Sequence, residues 1–129
     1  MKDQFTAREE IIKNYLAGYN SLNIEHMVQD LDEQIVFENI QNGEVTLTLT
    51  GLPAFTQQAE QAIAYFSERT QTIKSMNHVG NTTEVEIDYR AILAVDLPNG
   101  MKSGEELKLM GKSIFQFTGD RIVQITDIS

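Results

Sequence analysis

The sequence predicts an α+β fold in which three helices from the N-terminal half cover the concave face of a cone-like curved, mixed but mostly antiparallel β-sheet. Two observations support this fold class. Long stretches of the second half alternate apolar and polar residues, at Glu84–Asp96 and Leu107–Phe117, as half-buried strands do. Three earlier stretches place apolar residues at helical spacing instead. The predicted order is therefore helix, helix, strand, strand, helix and four strands, which is typical of helices packed on one sheet face.

The first two helices are predicted as a hairpin. Thr6 is a candidate N-cap with Glu9 three residues later, and apolar residues recur at helical spacing as far as Asn20, so the first helix is expected at Thr6–Asn20. Asn23 is a candidate N-cap for a short second helix, Ile24–Leu31.

Two strands and a third helix follow. Gln34–Ile40 is rich in β-branched and aromatic residues, Glu44–Thr50 alternates, and Asn42-Gly43 between them is a strong turn signal. Pro53 suits the first turn of a helix, and an apolar stripe extends that third helix to about Arg69.

Four strands complete the chain. Gln71–Val79 is a weakly patterned strand that ends at Gly80-Asn81, and Glu84–Asp96 is the longest inner strand. Leu97-Pro98-Asn99-Gly100 is a turn signal. Leu107–Phe117 and the final strand flank a tight turn at Thr118-Gly119-Asp120, with Ser113, Phe115 and Phe117 on one face.

Composition limits the classes of function. A chain of 129 residues with 41% hydrophobic content suits a single domain, residues 1–129. The net charge is −9 and the ten Lys and Arg residues are scattered, so we expect no nucleic-acid partner. The N-terminus interrupts its apolar residues with charge, and cysteine is absent. We therefore expect a cytoplasmic protein with no membrane partner.

Four stretches resemble a known family: NIEHMVQDL at residues 23–31, IVFEN at 35–39, GLPAFTQQAEQAIAYF at 51–66 and FQFTGDRIVQITD at 115–127. Together they are similar to the SnoaL-like family of the nuclear-transport-factor-2-like superfamily, which includes ketosteroid isomerases and polyketide cyclases. The resemblance covers nearly the whole chain. It is specific for the fold and weak for function, because the superfamily contains enzymes, carriers and association domains.

The resemblance to ketosteroid isomerases fails at two of three functional positions. Those enzymes use a Tyr on the first helix, an Asp base, and a protonated Asp on a late strand. Tyr15 matches the Tyr, but Asn39 stands where the base would fall, and an amide does not take a proton at neutral pH. Ser113 stands at the late-strand Asp. We therefore expect no ketosteroid isomerase of the known mechanism.

Two residues are candidates for acid–base catalysis. The resemblance to SnoaL-like cyclases implies an acidic residue on the last strand, where this chain has Asp127. The alternative is a solvated carboxylate near the C-terminus. The family often has His two residues earlier, and here Ile125 occupies that position. His78 is the second candidate, with a histidine bonded to backbone at a strand end as its alternative.

The remaining candidates form a predicted pocket. Tyr15, Asn39 and Ser113 would orient the polar end of a ligand, and Tyr19, Phe37 and Phe115 would enclose its apolar body. Three hypotheses stay open: a binding domain for a small hydrophobic molecule, a lyase, isomerase or cyclase acting on a small hydrophobic carbonyl compound, and a non-catalytic dimerisation or assembly module.

We expect the protein to bind neither a metal nor a cofactor. We also expect it to form a homodimer. No HxxxH or HExxH motif is present, and no Gly-rich phosphate loop follows a strand. The outer faces of the late strands carry Ile92, Ala94, Met110 and Ile114, which are too apolar for a solvated surface. SnoaL-like domains commonly pair through this face, so we expect a homodimer.

Overall fold

Six strands and three helices account for most of residues 3–129, which are the residues described by the computed structural model. They follow the chain in this order: α1 Gln4–Asn20, α2 Ile24–Met27, β1 Leu31–Gln41, β2 Glu44–Thr50, α3 Leu52–Ile63, β3 Phe66–Val79, β4 Thr82–Leu93, β5 Glu106–Thr118 and β6 Arg121–Ile128. The predicted α+β class, with helices against a six-stranded sheet, is confirmed.

The sheet is mixed and mostly antiparallel, as predicted. Its strand order is β2-β1-β6-β5-β4-β3. The final strand inserts between β1 and β5, parallel to β1 and antiparallel to β5, while the remaining pairs are antiparallel. The last residues of the chain therefore lie in the interior of the sheet rather than at its edge.

The first two helices differ slightly from the prediction. Asp3, not Thr6, caps α1, because its side chain accepts a hydrogen bond from the backbone N–H of Thr6 at 2.8 Å. Asn23 caps α2 as expected, but this helix ends at Met27 rather than Leu31. Leu31 instead begins β1 and pairs with Ile122 of β6, so strand pairing shortens the helix.

The largest difference lies at the end of α3. The apolar stripe predicted a helix to about Arg69, whereas α3 ends at Ile63 and β3 already begins at Phe66. Phe66 pairs with Leu93 and Arg69 with Ala91. Backbone pairing with β4 therefore takes over residues whose apolar spacing would also suit a helix. The predicted strand to Asp96 likewise ends at Leu93.

The core lies between the helices and the inner sheet face, which carries the odd-numbered residues of β4 and β5. Helices and strands contribute to one cluster that includes Ile12, Leu16, Met27, Phe55, Val85, Ile87, Phe115, Phe117, Ile122 and Ile125. Gly18 lets α1 approach α2 closely, since a Cβ there would lie 2.5 Å from the backbone nitrogen of Met27. No helix within residues 3–129 is long and apolar enough to cross a membrane.

Candidate functional site

Three neighbouring strands place Asn39, Asp127 and Ser113 side by side. In the register of the sheet, Asp127 of β6 is opposite Asn39 of β1 on one side and Ser113 of β5 on the other. The Ser113 hydroxyl donates a hydrogen bond of 2.6 Å to Asp127 Oδ1. The Asn39 amide donates instead to Thr46 Oγ1 at 2.9 Å, towards β2. Among residues 3–129, the hydrogen-bond partner of the Asp127 carboxyl is therefore Ser113.

Burial changes the acidity of Asp127. Desolvation raises the pKa of its carboxyl from the ordinary 3.8 to about 6, and the hydrogen bond from Ser113 opposes this rise. The residue as a whole is half-buried, and its carboxyl accepts the hydrogen bond from Ser113. A raised pKa favours a desolvated carboxyl over the solvated terminal carboxylate that the sequence left as an alternative.

A cavity of about 370 Å³ lies between the helices and this part of the sheet. Its walls bring together four of the predicted ligand-binding residues, Tyr15, Tyr19, Phe37 and Asn39, with Asp127. The rest of the lining is mainly apolar: Met27, Leu47, Leu49, Phe55, Gln58, Ala59, Ala62, Phe66, Arg69 and Tyr89. This composition, apolar with a few polar groups, is usual for small-molecule sites.

Two predicted ligand-binding residues lie beside the cavity rather than on its wall. Phe115 is fully buried beneath Tyr15, whose ring it contacts edge-on at 5.6 Å between centroids. Ser113 lines an adjoining depression of about 180 Å³ that also reaches Tyr19, Asn39 and Asp127. Phe115 therefore packs behind the cavity wall at Tyr15, and Ser113 contacts the cavity lining through its hydrogen bond to Asp127.

Two tyrosines of the cavity, Tyr15 and Tyr89, are held in their neutral form. Burial raises the pKa of Tyr15 well above its ordinary value, and the nearby Asp127 carboxylate raises it further. Burial also raises the pKa of Tyr89, whose hydroxyl accepts a hydrogen bond from Tyr19 at 3.2 Å. These hydroxyls can therefore donate hydrogen bonds at any physiological pH, and they carry no charge.

Arg69 is a site residue that the sequence prediction missed. It is only 3% exposed, it lines the cavity, and its Nε donates to the backbone carbonyl of Tyr19 at 2.9 Å. Its guanidinium carbon lies 3.6 Å from the centroid of the Tyr19 ring. The signal that could have identified Arg69 as buried is the alternation of buried and exposed residues along β3. Register shifts near Phe66 and Ile73 interrupt this alternation.

His78 lies apart from the cavity. Its ring nitrogens are within hydrogen-bonding distance of Thr83 Oγ1 and Glu9 Oε2, each at 2.8 Å, and its ring stacks on Phe5. It therefore connects the ends of β3 and β4 to α1. Within residues 3–129, no group of three or more His, Asp or Glu side chains is arranged to hold a metal ion.

Comparison with known proteins identifies a family match and several similar folds. A family model described as a SnoaL-like domain matches residues 12–125. No curated protein sequence matches the chain. TsrD from Streptomyces laurentii has a TM-score of 0.78 and 13% identity, over 98% of this chain and 90% of that one.

Two further similar structures contain small molecules. A protein of ketosteroid isomerase-like fold from Catenulispora acidiphila, in complex with trimethylamine, has a TM-score of 0.74 and 14% identity, over 92% of this chain and 83% of that one. TerC, co-crystallised with polyporic acid, has a TM-score of 0.75 and 13% identity, over 95% of this chain and 90% of that one. At these identities the similarity establishes the fold alone.

The raised pKa of Asp127 predicts a pH-dependent stability difference between the wild type and Asp127→Asn. The folded carboxyl holds its proton more tightly than the unfolded one, so this group lowers the free energy of unfolding as pH rises from about 4 to about 6. The amide keeps an acceptor for Ser113 without the charge. The variant should therefore match wild type near pH 4 and be more stable by about 2–3 kcal/mol above pH 7.

Urea unfolding of both proteins across this pH range measures the difference. Asp120→Asn, in the exposed turn between β5 and β6, is the control for a change of net charge. A stability difference between wild type and Asp127→Asn that does not vary with pH would show that the carboxyl is not desolvated.

Proposed function

We propose that this chain, which belongs to the SnoaL-like domain family, binds a small, largely apolar carbonyl compound in the cavity and that Asp127 moves a proton on it. The observation that carries this proposal is the position of Asp127 at the cavity wall, where Ser113 is its hydrogen-bond partner and burial raises its pKa to about 6. General bases work best when their pKa lies close to the working pH. A buried acid tuned in this way is a candidate for catalysis.

The cavity supports binding of a small molecule. Its volume of about 370 Å³ falls within the usual range of ligand sites, roughly 300–1,000 Å³. The rings of Phe37 and Phe55 form one wall, where they meet edge-on at 5.8 Å between centroids. Asn39 and the tyrosine hydroxyls provide the few polar groups that would orient a carbonyl.

The proposed chemistry is proton transfer at a carbon next to the carbonyl. Asp127 Oδ1 is occupied by Ser113, so Oδ2 is the oxygen that accepts the proton. The electron pair of the broken C–H bond moves to the carbonyl oxygen, where the neutral Tyr15 hydroxyl donates a hydrogen bond. In an unsaturated carbonyl compound, return of the proton from Asp127 to the far carbon of the dienolate would complete an isomerisation. In a cyclisation, attack of the enolate carbon on a second carbonyl forms an alkoxide, which takes the proton back from Asp127.

Binding without turnover is the second candidate function. Its support is that Asn39 offers an amide where a ketosteroid isomerase has its base, and that His78 is bonded to Thr83 and Glu9 away from the cavity. Within residues 3–129, Asp127 is the sole carboxyl residue that lines the cavity. The two candidates differ in whether Asp127 changes the rate of proton exchange on a bound ligand.

Deuterium exchange into 2-tetralone tests the proposal without knowledge of the natural substrate. This aromatic ketone has acidic C–H bonds beside its carbonyl, and ¹H NMR in D₂O follows their loss. Wild type should accelerate exchange, and Asp127→Asn should remove most of the acceleration. Loss of a positioned base typically lowers a rate on the order of a hundred- to ten-thousand-fold.

Asp120→Asn is the matched control and should exchange like wild type, because Asp120 lies in an exposed turn. If wild type and Asp127→Asn exchange at the same rate while 2-tetralone stabilises both against heat, the protein binds without acid–base catalysis. If 2-tetralone neither exchanges faster nor stabilises either protein, the cavity does not accept ketones and the proposal is wrong.

We also propose that the protein forms a homodimer through the outer sheet face. Met110 is 74% exposed on β5, and Ile114 and Ile92 are half-buried on the same face. Ala94, the fourth predicted residue, lies just beyond the end of β4. An exposed apolar side chain of this size on a sheet face favours contact with a second subunit.

Replacement of Met110 and Ile114 together by Glu should convert the dimer to a monomer, because two carboxylates would be buried in the interface. Sedimentation velocity at micromolar concentration measures the change. Val79→Glu, at an exposed apolar position near the end of β3, is the control and should leave the dimer intact. A wild-type protein that sediments as a monomer would contradict the dimer.

A further inference from the structure

Arg69 is a buried cation without a counter-ion. Its Nε bonds to the Tyr19 carbonyl, while its Nη2 is buried and has no hydrogen-bond partner within residues 3–129. No carboxylate in this part of the chain forms an ion pair with it. The guanidinium packs on the Tyr19 ring at 3.6 Å, with Phe66 farther away at 6.0 Å. Contact with a ring compensates only part of the cost of removing a cation from water.

The neighbouring titratable groups do not neutralise this charge. Tyr15 and Tyr89 feel the Arg69 charge, but burial dominates and keeps both phenols protonated. The hydrogen bond to the Asp127 carboxyl comes from Ser113, and no hydrogen bond or ion pair joins that carboxyl to Arg69 within residues 3–129. Asp127 and Arg69 therefore do not form a pair, although both line the same cavity.

We propose that Arg69 is the anion-binding group of this cavity and that its ligand is a small hydrophobic carboxylate. The inference rests on the proposed use of the cavity as a ligand site, and it specifies the substrate class. A carboxylate would supply both the missing counter-ion and an acceptor for the unpaired terminal N–H groups. Guanidinium is well suited to this, because its parallel N–H groups match the two oxygens of a carboxylate.

The position of Arg69 also sets the orientation of the ligand. The guanidinium is held between Tyr19 of α1 and the strand β3, whereas Asp127 lies on β6 near the middle of the sheet. A ligand whose carboxylate contacts Arg69 extends its apolar body along the rings of the cavity. Its reacting carbon is then presented to Asp127, and its charge is kept away from that carboxyl.

A pair of probes that differ only in charge tests the proposal: 2-naphthoate and 2-naphthamide, with dissociation constants measured by isothermal titration calorimetry at pH 7.5. Wild type should bind the acid more tightly, by about ten- to a hundredfold, as expected for a charge-assisted hydrogen bond. Arg69→Met, which keeps a long apolar side chain, should lose this preference. Arg69→Lys should keep part of it, and Arg121→Met, at an exposed arginine, should keep all of it.

The dissociation constants of the two probes for wild type test the proposal even if the Arg69 variants do not fold. Equal affinity for acid and amide, or no binding of the acid at millimolar concentration, would overturn the proposal, as would an acid preference that persists in folded Arg69→Met. Asp127→Asn separates this inference from the proposed catalysis. This variant should still bind 2-naphthoate more tightly than 2-naphthamide. If it does so and also exchanges protons at the wild-type rate, the catalytic role of Asp127 is refuted while the role of Arg69 stands.

Discussion

The parallel pairing of β6 with β1 is the constraint on which the site depends. Because the last strand enters between β1 and β5, a residue close to the end of the chain becomes a central residue of the sheet. Asp127 thereby lies between Asn39 on one side and Ser113 on the other, in a half-buried position. Its raised pKa is a consequence of this topology.

The cavity combines two groups whose burial costs free energy. Asp127 lacks a cationic partner and responds by binding its proton more tightly, as a desolvated carboxyl does. Arg69 cannot respond in this way, because guanidinium remains charged under all conditions that a protein experiences. Asp127 on β6 and Arg69 on β3 line the same cavity from strands that β5 and β4 separate. A buried carboxyl with a perturbed pKa in a cavity is a candidate functional group.

The sequence predicted most of the fold and part of the site, for physical reasons that can be traced to particular residues. Alternation in Leu107–Phe117 placed Ser113 and Phe115 on the inner face, and the inner face is where they lie. Arg69 was missed because the apolar stripe of α3 continues at helical spacing to Phe66, and only pairing with β4 makes this segment a strand. The contact between Ser113 and Asp127 depends on strand register, which local periodicity does not encode.

The claim that Asp127 is a desolvated acid–base group is tested most directly by measuring its pKa. NMR titration of the Asp127 side-chain carboxyl carbon gives this value. We expect a midpoint of about 6 in the wild-type protein. In Ser113→Ala the midpoint should be higher still, because the hydrogen bond from Ser113 stabilises the charged form. A midpoint near the ordinary 3.8, unchanged in Ser113→Ala, would show that the carboxyl is hydrated and would contradict its role as the acid–base group of the cavity.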